Sequence, residues 1–221
     1  MLRILTWLIA LMVVVGIRRL SLDTTAAAPL ADECRGSIGA QQFENLIVPD
    51  GAACVLEGTR IDGNIIVGTS ATLMANNIIV GGNIQAEGST NVTVQGNARV
   101  GGSVQIKQGG GATVDGVNVT GDIQIESNDD FLTVRGNIVG GNVQIFQNRG
   151  GAQVIDNRID ANLQCKENAP PPTGSGNQAT SLEDQCASLG SAPTQPTPSP
   201  TPSPSATPGS PPSPTPTLIA R

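Results

Sequence analysis

The 221-residue chain contains no histidine and no tyrosine. Without histidine it has no serine–histidine or cysteine–histidine nucleophile pair and no imidazole metal ligand. Aromatic residues make up only 2% of the chain. Its one tryptophan, Trp7, lies in an N-terminal apolar run, and its three phenylalanines are Phe43, Phe131 and Phe146. That is too little ring area for an ordinary globular core, in which aromatic side chains supply much of the buried surface. Cations are also scarce: 12 Lys and Arg against 18 Asp and Glu give a formal charge of −6. With neither a basic patch nor interleaved aromatics, nucleic acid is not an expected partner. No cofactor motif is present, and no cofactor or metal is expected.

Glycine and proline are abundant but segregated. The 27 glycines are spread through the middle of the chain and most of the 16 prolines gather at its end. Residues 1–28 read as a signal peptide or an N-terminal membrane anchor. Arg3 precedes an apolar run over residues 4–17, which is shorter than the roughly 20 residues a span needs. Small residues at Thr25 to Ala28 suit cleavage, while Arg18 and Arg19 after the run suit an uncleaved anchor. Residues 190–221 are Pro, Thr and Ser-rich and cannot bury a core, so a disordered tail is expected there. The folded domain is assigned to residues 29–189.

Within that domain one phrase recurs: GGNIQ at 81, GGSVQ at 101, TGDIQ at 120 and GGNVQ at 140. Layers aligned on it begin at Glu44, Gly63, Gly82, Gly102, Gly121, Gly141 and Ala161, in steps of nineteen or twenty residues. A fixed period of this size marks a solenoid. The third position of each layer reads Leu46, Ile65, Ile84, Val104, Ile123, Val143, Leu163, and the fifth runs from Val48 and Val67 to Ile145 and Cys165. Apolar residues two apart predict short strands with one buried face. The expectation is an all-β, single-stranded parallel β-helix of about seven coils, right-handed by the usual crossover preference.

If the third and fifth positions face inward, the fourth faces outward, and there stand Gln85, Gln105, Gln124, Gln144 and Gln164. Stacked in register, these amides would hydrogen-bond along the stack. The Asn at position two reads as a corner residue that caps its own backbone, and the neighbouring glycines as suppliers of positive φ. The sixth position, Glu87, Lys107, Glu126, Phe146, Lys166, alternates in sign over its first three layers. The eighth, with Ser89, Asn128, Asn148 and Asn168, reads as a second turn column. The four cysteines sit only in the first and last layers. Of the three possible pairings, only Cys34 with Cys54 and Cys165 with Cys186 join residues at one end of the stack. Paired cysteines imply an oxidising compartment. Ser181 to Asp184 reads as a capping box, predicting a short helix near 181–188 that closes the stack.

The phrases VQIKQGGGATV, GDIQIESN, GGNVQIFQNRGG and the closing NLQCKENAPPPTGSGN with EDQC resemble a family of secreted bacterial β-helix repeat proteins of unassigned function. The resemblance covers about residues 34–189 and implies fold and secretion, with no activity attached. The architecture is also similar to that of bactofilins, polymer-forming β-helical scaffolds, in its short glycine-rich coils and valine/isoleucine columns. This chain departs from them in its terminal cysteine pairs, which oppose polymerisation through open ends.

Three functions are compatible with this pattern. The first is a secreted or cell-surface structural or binding module without catalysis. Its glutamine face, with Phe146 beside it, would meet a cell-wall glycan or another surface protein; the plainer alternative is that the glutamines only stabilise the stack. Contact with membrane would come solely through residues 4–17 if they are retained. The second is a polysaccharide lyase or hydrolase, which needs clustered carboxylates or Ca²⁺. Glu87 and Glu126 are separated by Lys107, Asp62 and Asp160 lie at opposite ends, Asp115 faces Arg135, and Asn128-Asp129-Asp130 reads as an exposed turn. The third is an ice-binding face on Thr93, Thr113 and Thr133, interrupted by Leu73 and Gln153. Asn91 and Asn118 head Asn-X-Thr triplets.

Overall fold

The structure, a computed structural model, describes residues 32–190. The proposed leader and all of the Pro-rich tail except Gly190 lie outside the described residues. Seven successive coils each contribute one strand to each of three parallel sheets, so the domain is a three-sided parallel β-solenoid. The first sheet has nine strands, the second eight and the third seven. Nine stacked strands correspond to about eight turns rather than seven. The additional strands are Asp32–Glu33 at the top and Ser181–Asp184 at the bottom. At ~4.8 Å per coil the stack is roughly 38 Å tall.

The inward columns are those the alternation predicts. Leu46, Ile65, Ile84, Val104, Ile123, Val143 and Leu163 are all fully buried, as are Ile106, Ile125 and Ile145. Each pairs in parallel with the residue one period on, for example Ile84 with Val104 and Ile106 with Ile125. Two further inward columns come from the second sheet, such as Leu73–Val92–Ala112 and Ala75–Val94–Val114. Between twenty-residue and nineteen-residue coils the extra residue sits in a corner, at 96–97 in one coil and at 128–130 in another. The strands therefore keep register.

The corners differ from the sequence reading. The glycines that open each layer do not have positive φ. Positive φ occurs instead at the other two corners, for example at Gly116 (φ 68°) and Gln108 (φ 53°). The layer-opening glycines are required because there is no room for a side chain. A Cβ on Gly121 would lie 2.4 Å from Ser103 Oγ and 2.9 Å from Gly102 O. Up the column, each amide N–H donates to the carbonyl one coil earlier, at 2.8 Å for Gly102 and 2.9 Å for Gly121. Where alanine takes the glycine's place, at Ala161, the same bond is 3.3 Å. Gly121→Ala should therefore lower stability by about 1–3 kcal/mol, as overpacking does. An unchanged urea midpoint would contradict this account.

The position-two residues do not cap their own backbone. Each side-chain oxygen accepts from the backbone N–H one coil further on: Asn64 N–H donates to Asn45 Oδ1 (2.9 Å), Asn83 to Asn64 (2.8 Å) and Ser103 to Asn83 (2.8 Å). The corner is thus an inter-coil ladder.

The ends are closed by Cys34–Cys54 and Cys165–Cys186. The expected helix at 181–188 is absent. Ser181–Asp184 is a strand laid on Asn162–Lys166, with Leu182 opposite Leu163 and Glu183 opposite Gln164. A helix there would leave the last edge of the first sheet without backbone partners, a cost that outweighs a local capping signal. Gly190, assigned to the tail from composition, belongs to the fold through its bridge to Asn177.

Candidate functional site

The outer face of the first sheet carries the glutamines in register: Gln85 opposite Gln105, then Gln124, Gln144 and Gln164. Alternation dictates this placement, since each neighbour along the strand is a buried residue, aliphatic except for the disulfide-bonded Cys165. Gln85 Nε2 donates to Gln105 Oε1 (3.0 Å) and Gln105 Nε2 to Gln124 Oε1 (3.0 Å). Gln144 Nε2 donates to Gln164 Oε1 (2.9 Å), whose own amide donates to Glu183 Oε2 (2.8 Å). The ladder therefore ends on a carboxylate. The Ser181 hydroxyl and the Gln164 amide both donate to Glu183 and hold its carboxyl below the ordinary glutamate range.

Among the described residues, Gln124 and Gln144 share no hydrogen bond, so the ladder is interrupted once. The interruption falls in the coil that carries Phe146, which is half-buried and lies between Glu126 and Lys166 in its column. A shallow hollow of about 170 Å³ opens beside the ring, lined by Glu126, Phe146, Gln147, Lys166 and Glu167. A second, of about 350 Å³, lies at the upper end of the face between Ile66, Gln85, Glu87 and Lys107. One surface thus offers an aromatic edge, spare amide groups and charges of both signs.

Lys107 pairs with Glu126 at 3.3 Å, while Glu87, in register on its other side, makes no ion pair among the described residues. Both partners of that pair are exposed, so it contributes little stability. Asp115 and Arg135 form the expected surface pair at 2.5 Å. In the 128–130 turn, Asp129 is paired with Arg149 at 3.4 Å and Asn128 is buried inside the stack. Thr93, Thr113 and Thr133 align on the second sheet, but the residue above them is Met74, not Leu73, which points inward opposite Val92. Gln153 lies below them, as expected. Among the described residues, no three acidic, cysteine or histidine side chains converge as metal ligands would.

Of two buried polar columns, the one read from the sequence as a turn column is an inward ladder, and the other, at Asn137, Asn157 and Asn177, has no counterpart in the sequence reading. Asn128, Asn148 and Asn168 are buried and bonded one to the next, with the last closed by Gln185 Oε1 at 3.0 Å. Asn137, Asn157 and Asn177 form a second buried ladder that ends on Leu189 O at 2.7 Å. The only available signal was the recurrence of Asn every twenty residues at 137, 157 and 177. These ladders hold the stack together from inside and present nothing to a ligand.

Compared with protein-family models, with curated proteins and with solved structures, the chain matches none.

Proposed function

We propose that this chain is a non-catalytic, extracytoplasmic binding or scaffolding module whose ligand face is the glutamine side of the solenoid. The observation that carries this reading is the interrupted ladder. An amide ladder that serves only the stack would be continuous, whereas this one leaves Gln124 and Gln144 unbonded to each other beside the half-buried Phe146. A polar group next to a ring is what a sugar needs, since its C–H face stacks while its hydroxyls bond. Coils repeat at ~4.8 Å, so the face suits a repetitive polymer such as a cell-wall glycan. The two disulfides support placement in an oxidising compartment. Non-catalytic use is supported by the acids: Glu126 and Asp115 are tied to cations, and Glu87 is kept from Glu126 by Lys107.

Co-sedimentation with native cell-wall and polysaccharide fractions tests the reading, with Gln105, Gln124 and Gln144 changed to Lys in a parallel variant. Saturable binding weakened at least tenfold in the variant is expected. Binding that survives the change would move the ligand to another face, and no binding to any fraction would leave the ladder structural.

A further inference from the structure

The third sheet, which meets the glutamine face across the glycine corner, has an outer surface that reads nearly the same in both directions. Its two-residue strands place one outward residue per coil in a single column, from Gln42 at the top to Gln178 at the bottom. The midpoint lies between Arg99 and Asn118, which are adjacent in register. Counting outward, Ile79 and Ile138 are equidistant from it, then Arg60 and Arg158, then Gln42 and Gln178. The next outward column repeats the symmetry. Gly101 and Thr120 flank its centre, followed by Gly81 with Gly140, then Asp62 with Asp160. All of these residues are exposed, Ile79 at 43% and Ile138 at 51%. Neither of the other faces has this property: in the first, Ile47 and Ile66 at one end stand opposite Gln164 and Gln144 at the other, and in the second Val55 and Met74 stand opposite Gln153 and Thr133.

A surface with this symmetry is complementary to itself when turned end for end. We propose that the third sheet is the interface of a two-fold antiparallel dimer of this chain. A two-fold axis along the strand direction, between the coils of Arg99 and Asn118, lays Ile79 on Ile138 of the second copy, twice. It sets Arg99 against Asn118 rather than against another Arg99. Arg60 already holds Asp62 at 2.9 Å, whereas Arg99 and Arg158 enter none of the ion pairs among the described residues. In the dimer Arg158 reaches Asp62 of the second copy and Arg60 reaches Asp160, closing a neutral cluster of four charges at each end. Gly81, Gly101 and Gly140 carry no side chain and let the two backbones approach. A parallel arrangement would instead stack Arg99 on Arg99 and Arg60 on Arg60. The isologous form is the one closed symmetry favours.

The face is narrow. A stack of roughly 38 Å and a width of about 12 Å bury about 450 Å² per copy, below the ~800 Å² per partner of standard stable complexes. An interface of this size belongs to the weak, transient class, so a reversible monomer–dimer equilibrium rather than a permanent dimer is expected. The dimer would leave both glutamine faces open.

Sedimentation equilibrium of the full chain tests the proposal. A concentration-dependent monomer–dimer equilibrium is expected, with the dissociation constant raised at least tenfold by Ile138→Asp. Asn118→Arg, a milder surface change that sets arginine against Arg99 of the second copy, should weaken it similarly. Met74→Lys on the second sheet should leave it unchanged, and circular dichroism reports whether each variant is folded. Orientation is read by cross-linking, because the four native cysteines are all paired. Gln42→Cys mixed with Gln178→Cys, at opposite ends of the column, should give an intermolecular disulfide under mild oxidation, and neither alone should do so. A chain that stays monomeric, association indifferent to both third-sheet variants, or cross-linking of Gln42→Cys with itself would each overturn the proposal.

Discussion

Asn157→Ala is expected to destabilise the domain by about 3–5 kcal/mol, more than any single change on its exterior. Asn157 Oδ1 accepts from both the backbone N–H and the side-chain amide of Asn137, at 3.1 and 2.9 Å. Its Nδ2 donates to Val134 O and Asn177 Oδ1, each at 2.9 Å. Alanine removes all four bonds and leaves two donors and a carbonyl buried without those partners. Each buried orphan costs about 1–3 kcal/mol. By contrast, an outer glutamine such as Gln105 makes ladder bonds of similar length, but its partners can turn to water, so its loss is worth about 1 kcal/mol or less. Urea denaturation of the two variants separates these cases. Equal shifts would mean that water reaches the inner ladder.

The second large effect concerns the lower end. Changing Cys165 and Cys186 together to serine should cost about 2–4 kcal/mol, concentrated in the last turn. The bridge tethers segment 185–190, and both inner ladders terminate there. Gln185 accepts from Asn168 and returns a bond to Asn168 O at 2.9 Å, and Leu189 O accepts from Asn177. In a solenoid each coil is held chiefly by its neighbours, so damage at one end frays inward instead of unfolding everything at once. Hydrogen exchange should show protection lost over residues 173–190 and retained over 84–126. Uniform loss along the stack would contradict the nearest-neighbour picture.

The architecture was legible because the inward columns follow from one rule, β-branched residues two apart at a period near twenty. The cysteine placement was legible for the same reason, since only the ends of a solenoid have cross-links to gain. The corners were misread because the letter G serves two physical needs. At Gly116 it supplies positive φ, whereas at Gly121 it supplies the absence of a Cβ. The helix at 181–188 was misread because a capping box is local, while the unpaired edge of Asn162–Lys166 becomes visible only once the coils are stacked. The glutamine register could be read from the sequence. Its break between Gln124 and Gln144 could not, because it depends on side-chain rotamers rather than residue type. The ladder of Asn137, Asn157 and Asn177 was hidden by its own column, which is aliphatic at Ile78, Ala98 and Val117 before turning to asparagine at Asn137.

That change of character along the column gives the molecule a fixed length in one half and not in the other. In the upper coils the column is largely aliphatic, and one coil can end where another would have continued. Below Val117 every coil depends on its successor: the N–H of residue 117 waits for Asn137, that of 137 for Asn157 and that of 157 for Asn177. Only the chain's own closing segment, through Leu189, ends the sequence of dependence. As far as this column is concerned, an upper coil can be removed without orphaning a buried amide, whereas the lower coils and their closing segment form one unit.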